Sequence, residues 1–240
     1  GSSKYDISQA YLANNLDSIY FGMERSGNNG TTAFDFEFNQ LEPGALSSCP
    51  QSSEVPCRSV GDVLFTFEMQ GSGNTGAATP HVYTWNGSSY VEGAASGIVS
   101  SINSSLTTAG APWGHVDSHG NWILGDMERF TFAEAVAPLS LLPGASSCGG
   151  KVFVQVRTRS SATANSDLKD TTKVFQFWYN NVGAQATLAP SCGGGVSYAV
   201  VATKADGTPL TNPTCQWTFS SGDTSSSCSG TLSVGPGTYT

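Results

Sequence analysis

Within residues 32–40 the central side chains alternate apolar and polar: Phe34, Phe36 and Phe38 interleave with Asp35, Glu37 and Asn39. Successive side chains of a strand point to opposite faces, so this stretch can bury all three rings together only as an extended strand with one face on a core. A helix would scatter the same rings around its axis. The period recurs in residues 17–25, where Ile19, Phe21 and Met23 share a face with Arg25, and Tyr20, Gly22 and Glu24 share the other. Residues 62–70 are more continuously apolar at their start and read as a central strand. Residues 81–85 and 89–92 flank Asn86-Gly87, the strongest short hairpin signal in the chain.

Further strands are predicted over residues 127–136, 151–160 and 174–179, with a single helical turn at residues 139–142 ahead of Pro143-Gly144. Segments 17–25 and 32–40 are expected to pair as a hairpin through Ser26-Gly27-Asn28-Asn29-Gly30, whose residues tolerate positive φ. The expected fold is therefore all-β: a large jelly-roll-like β-sandwich over residues 1–180, then a smaller immunoglobulin-like sandwich over residues 184–240. Asn180-Asn181-Val182-Gly183 reads as the linker. The second domain carries Cys215-Gln216-Trp217-Thr218-Phe219 and Cys228-Ser229-Gly230-Thr231, which suit an immunoglobulin-like module. Such a sandwich takes about 85 to 100 residues and seven strands, whereas residues 184–240 have room for roughly five. An incomplete domain is the expectation.

Composition narrows the function classes. Only 12% of residues are charged and Gly numbers 28, as in neutral, turn-rich extracellular β proteins. The net charge is −8, and ten thinly spread basic residues make no stripe for phosphates, which argues against nucleic acid as a partner. No run of about 18 apolar residues is present to cross a membrane, and Gly1-Ser2-Ser3 has no apolar signal core. The six cysteines lack Cys-x-x-Cys spacing, which points to disulfides and an oxidising, extracellular or cell-surface location. Cys49 with Cys57 and Cys215 with Cys228 are the expected close pairs. Cys148 and Cys192 are left to pair with each other or with cysteines elsewhere.

Several stretches resemble a family of uncharacterised large secreted and surface proteins of actinobacteria and myxobacteria. They are Lys4-Tyr5-Asp6-Ile7-Ser8-Gln9-Ala10-Tyr11, Tyr20-Phe21-Gly22-Met23-Glu24-Arg25 with Asn28-Asn29-Gly30, Gly61-Asp62-Val63-Leu64, Phe132-Ala133-Glu134-Ala135, Arg157-Thr158-Arg159-Ser160-Ser161 and Leu168-Lys169-Asp170. The resemblance implies an N-terminal β-sandwich followed by immunoglobulin-like or polycystic-kidney-disease-type repeats, an extracellular location and a non-enzymatic role. It carries over no catalytic residue. Repeats of the latter type have Trp-x-Phe followed by Gly-Asp-Gly, whereas Trp217-Thr218-Phe219 leads into Ser220-Ser221-Gly222-Asp223.

Four constellations have residue types suited to chemistry or binding. Asp35 and Glu37 share a strand face, as a glycosidase pair requires, but the third acid of the jelly-roll glucanase pattern is absent and a polar outer strand face explains them. His115, Asp117 and His119 would lie on one face of an extended segment as a metal set, although Ser118-His119-Gly120-Asn121 reads as a turn. Tyr83, Trp85 and Tyr90 surround the Asn86-Gly87 turn and suit an aromatic sugar platform. Arg157 and Arg159 share a face and are expected in an ion-pair cluster, with Glu24, Glu68, Asp126 and Glu128 as candidate partners.

No residue set calls for a cofactor. The expected function is a structural or adhesive module of an extracellular bacterial surface protein or filament, partnered by copies of itself or by neighbouring repeats. Glycan binding is the alternative, and glycoside hydrolysis a lesser one.

Overall fold

The rings of Phe34, Phe36 and Phe38 lie on one face of a strand, and that face builds the core. The computed structural model describes residues 3–15, 17–69, 78–105, 107–108, 114–116, 121–144, 150–179, 182–191, 195–204, 217–218, 224–225 and 229–233. They fall into two units, Gly1–Tyr179 and Asn180–Thr240.

In the first unit the strands are Ile7–Asn14 (β1), Ser18–Arg25 (β2), Thr32–Asn39 (β3), Val63–Met69 (β4), Thr79–Trp85 (β5), Tyr90–Gly93 (β6) and Val99–Ile102 (β7). Then come Thr107–Thr108 (β8), His115–Val116 (β9), Trp122–Ile123 (β10), Asp126–Met127 (β11), Phe132–Pro138 (β12), Gly150–Arg159 (β13), Leu168–Thr171 (β14) and Phe175–Tyr179 (β15). A 3-10 turn at Leu139–Leu141 follows β12, where the sequence predicts one helical turn. Two antiparallel sheets result, one of four strands in the order β1-β2-β12-β7, the other of seven in the order β14-β13-β3-β4-β5-β6, with β15 also on β13. β8 pairs with β11 and β9 with β10 as short ribbons. This is an all-β sandwich, as the alternation requires. Among the described residues no helix is long and apolar enough to cross a membrane.

The inner faces meet through aromatic rings. Phe21 of β2 lies 5.0 Å from Phe36, 5.3 Å from both Phe65 and Phe67 and 6.4 Å from Phe38, so one ring of the smaller sheet engages four of the larger. Each fully buried ring contributes roughly 1.5–3 kcal/mol of transfer free energy. Alanines 133, 135 and 137 of β12 line the same interior.

One expected pairing does not occur. β2 and β3 are not a hairpin: β2 pairs with β1 and β12, and β3 with β4 and β13. Side by side, Phe21 and Phe36 would line the same sheet face and need a further layer to cover them. Crossing between sheets, roughly 10 Å apart in a sandwich, lets the two apolar faces cover each other. The Asn86-Gly87 hairpin does form, pairing Trp85 with Tyr90, and Gly87 takes a φ of 103° that a side chain would resist.

In the second unit Val182–Ser191 (β16) pairs antiparallel with Gly195–Lys204 (β17), which also pairs with Ser229–Ser233 (β20). Trp217–Thr218 (β18) pairs with Thr224–Ser225 (β19). Val182 and Gly183, expected in a linker, begin β16. Cys148, Cys192, Cys215 and Cys228 lie outside the described residues.

Candidate functional site

The polar face of β3 is not a solvent face. Asp35 and Glu37 are each 0% exposed, because the seven-stranded sheet is covered on both sides. Its second cover is built from loops. Residues 40–62 fold over the sheet, closed by the Cys49–Cys57 disulfide and by a bridge between Leu41 and Cys57. Gln155 on β13 donates to the Glu54 carbonyl at 2.9 Å, fastening that loop. Tyr83 donates to the Ala162 carbonyl at 3.1 Å and Arg159 to that of Ser166 at 2.6 Å, which hold the segment after β13.

Beneath this cover lies an ion network. Register sets Arg157 opposite Asp35 and Gln155 opposite Glu37. Arg157 pairs with Glu37 through Nη1 and approaches Asp35 at 3.4 Å through Nη2, while Arg159 Nε pairs with Asp35. Thr66 Oγ1 donates to Asp35 at 2.9 Å. Arg58, from the covering loop, grips Glu37 with both arms, Nε at 2.7 Å and Nη2 at 3.0 Å. The ion-pair cluster expected of Arg157 and Arg159 is present, but its acids are Asp35 and Glu37. Sequence alone, which names Glu24, Glu68, Asp126 and Glu128 as candidates, does not reveal which strands are neighbours.

Burial would raise the Glu37 carboxyl, yet Arg157 and Arg58 outweigh it and hold it below the ordinary glutamate value. Burial, then the Glu37 charge, push the neighbouring Tyr90 phenol upward. The pair is thus sealed from substrate, and Glu37 is held ionised, the reverse of what a proton-donating acid needs.

The aromatic turn is occupied internally. Tyr83 is buried, and Trp85 and Tyr90 meet edge to face at 5.2 Å. The Arg58 guanidinium lies 5.5 Å from the Trp85 ring and 5.6 Å from that of Tyr90, a cation–π arrangement. Of the three rings expected to make a sugar platform, Tyr83 is thus turned inward, while Trp85 and Tyr90 stay half-buried. Of the metal set, His115 begins β9, where its backbone pairs with Ile123, while Asp117 and His119 lie outside the described residues. The third histidine, His81, pairs with Glu92 at 2.7 Å. Among the described residues no group of three or more His, Cys, Asp or Glu is placed to hold a metal ion.

An open site lies on the other sheet. The outer face of β1-β2-β12-β7 carries a groove of about 750 Å3, within the ~300–1,000 Å3 range of ligand clefts. Across its middle, Tyr11, Gly22, Glu134 and Ser101 stand in one row of paired residues, and Ala13, Tyr20, Val136 and Val99 in the next. Gly22 makes the depression. A Cβ there would stand 3.2 Å from the Phe132 ring and 3.1 Å from the Ala133 carbonyl, so glycine lets the ring lie down on the sheet. Tyr11 meets that ring edge-on at 6.0 Å. Tyr20 is 43% exposed and Val99 66%, leaving this apolar surface open to solvent.

The groove is the part that strand alternation alone does not reveal. Its one sequence signal is a glycine inside an alternating strand, which marks a close approach. Compared with protein-family models, with curated proteins and with solved structures, the chain matches none.

Proposed function

We propose that this chain is a non-enzymatic structural or adhesive module of an extracellular bacterial surface protein or filament. On this reading residues 1–179 present a contact face, and the second unit is an immunoglobulin-like or polycystic-kidney-disease-type repeat of the kind carried by the large secreted proteins of actinobacteria and myxobacteria. The observation that carries the proposal is a contrast between two sites. The strand-borne acidic pair Asp35 and Glu37 is buried under a disulfide-closed loop and matched by three arginines, while an aromatic groove stands open on the opposite sheet.

A closed disulfide favours an oxidising compartment. The groove supports an adhesive reading, since contiguous exposed apolar surface marks contact sites. Microspheres coated with the full chain should be retained under flow on bacterial cell-wall or polysaccharide surfaces, and the same protein should release no reducing sugar from them. Coated spheres that wash off every surface at the rate of uncoated ones would sink the proposal. Carbohydrate binding is the second reading, favoured by the tyrosines in the groove.

A further inference from the structure

The groove's chemistry selects among ligands. Its described lining has one charged side chain, Glu134, and no lysine or arginine. A carboxylate without a nearby cation repels anions, so uronic-acid polymers and phosphates fit poorly. The rim is polar in a preset way. Asn15 Nδ2 donates to the Tyr20 hydroxyl at 2.9 Å, which leaves the Tyr20 proton to be given outward. The Asn15 side chain is itself fixed, its Oδ1 accepting from the backbone amides of Asp17 and Ser18 at 2.9 and 2.8 Å. The Tyr11 hydroxyl donates to Gln9 Oε1 at 2.8 Å, which leaves its lone pairs to accept.

One oriented donor and one oriented acceptor thus flank an aromatic shelf. An alkyl chain or an apolar peptide side chain would cover the shelf and strand both hydroxyls. A sugar ring satisfies all three features, with C–H groups on its face and hydroxyls at its edge that both give and accept.

We propose that the groove binds a neutral glycan, with the apolar face of a sugar ring on the shelf made by Phe132 and Tyr11 over Gly22, and its hydroxyls on Tyr20 and Glu134. This deepens the adhesive reading above and rests on it.

The test is calorimetric titration of the full chain with cello-, xylo-, manno-, chito- and malto-oligosaccharides, and with oligogalacturonate as the anionic counterpart. At least one neutral sugar should bind at sub-millimolar concentration, and oligogalacturonate should not. Tyr20→Ala, at an exposed position, should weaken binding by about tenfold or more. Gly22→Val, which lifts the Phe132 ring from the sheet, should abolish it, with near-ultraviolet circular dichroism confirming that both variants stay folded. Glu134→Gln, which removes the groove's one charge, should weaken the rejection of oligogalacturonate.

Failure of every neutral sugar to bind at millimolar concentration would overturn the inference, as would binding that Tyr20→Ala and Gly22→Val both leave unchanged. Self-association in sedimentation that disappears in Tyr20→Ala would also overturn it, assigning the groove to a second copy. Retention of coated microspheres despite absent sugar binding sinks the glycan alone; loss of retention sinks the adhesive reading.

Discussion

Arg157 lies between two carboxylates, Asp35 and Glu37, and all three side chains are closed off from water. Desolvating such a set costs about as much as the attraction returns, so its presence says little about net stability, but removing one member leaves uncompensated buried charge. Arg157→Met should destabilise the sandwich by about 3–5 kcal/mol, read as a lower urea midpoint at unchanged slope. The acid limb belongs to the same residues. Glu37 has a folded-state pKa below its ordinary 4.5, so the unfolded chain binds that proton more readily. Its stabilising share is complete above that ordinary value and is lost as pH falls through the lower folded one. Asp62 runs the other way: burial raises its pKa against the pull of its hydrogen bonds from Ser59 and Gln40, so its share is present at low pH and lost as pH rises through the raised value. Glu37→Gln should therefore flatten the loss of thermal stability on acidification, measured from about pH 7 down to about pH 2. Burial also presses Arg25 down to about 10, which still leaves it charged at neutral pH. Its Nε donates to the Phe130 carbonyl at 2.9 Å, holding a residue whose φ is 64°.

At the scale of elements, the loop of residues 40–62 works as a lid fixed at three kinds of contact: a disulfide, the Gln155 hydrogen bond and the Arg58 pair. Cys49→Ser with Cys57→Ser should cost about 2–3 kcal/mol, by the loop-entropy estimate for so short a ring. If the lid hangs on that bond, the double variant should also speed hydrogen exchange at the Gln155 side-chain amide, and unchanged exchange would show that Arg58 and Glu54 suffice. Much of this layer could be anticipated from the residues. Alternation identifies which side chains of β3 share a face, and the spacing of Cys49 and Cys57 identifies the closed loop. What alternation cannot give is the partner strand. Arg157 faces Asp35 only because β13 returns beside β3, and Arg58 reaches Glu37 from a loop with no periodicity at all. The groove escaped for a related reason: Tyr11, Tyr20 and Phe132 come from three strands, and no single segment shows them as a set.

For the molecule as a whole, the buried aromatic core seen among the described residues lies in the first unit. A chain ending at Tyr179 should therefore keep the cooperative unfolding transition of the sandwich, monitored by tyrosine and tryptophan fluorescence; a chain that fails to fold would place essential packing in residues 180–240. The formal charge of −8 repels acidic surfaces, so contact with such a surface should strengthen as added salt screens the repulsion. The pairing at the centre of the large sheet has a further consequence, in time. Asp35 and Arg159 are 124 residues apart along the chain, yet they meet inside one ladder. Closing so long a loop comes before its reward, which makes such topologies slow to fold, on the order of milliseconds to seconds. The arginines and acids must shed their water together, once the strands are already in place. Arg157→Met should accordingly leave the folding rate nearly unchanged and speed unfolding, visible in stopped-flow as a shift confined to one limb of the chevron. The charges would then act as a latch on the finished sheet, lengthening the life of the folded state without hastening its birth.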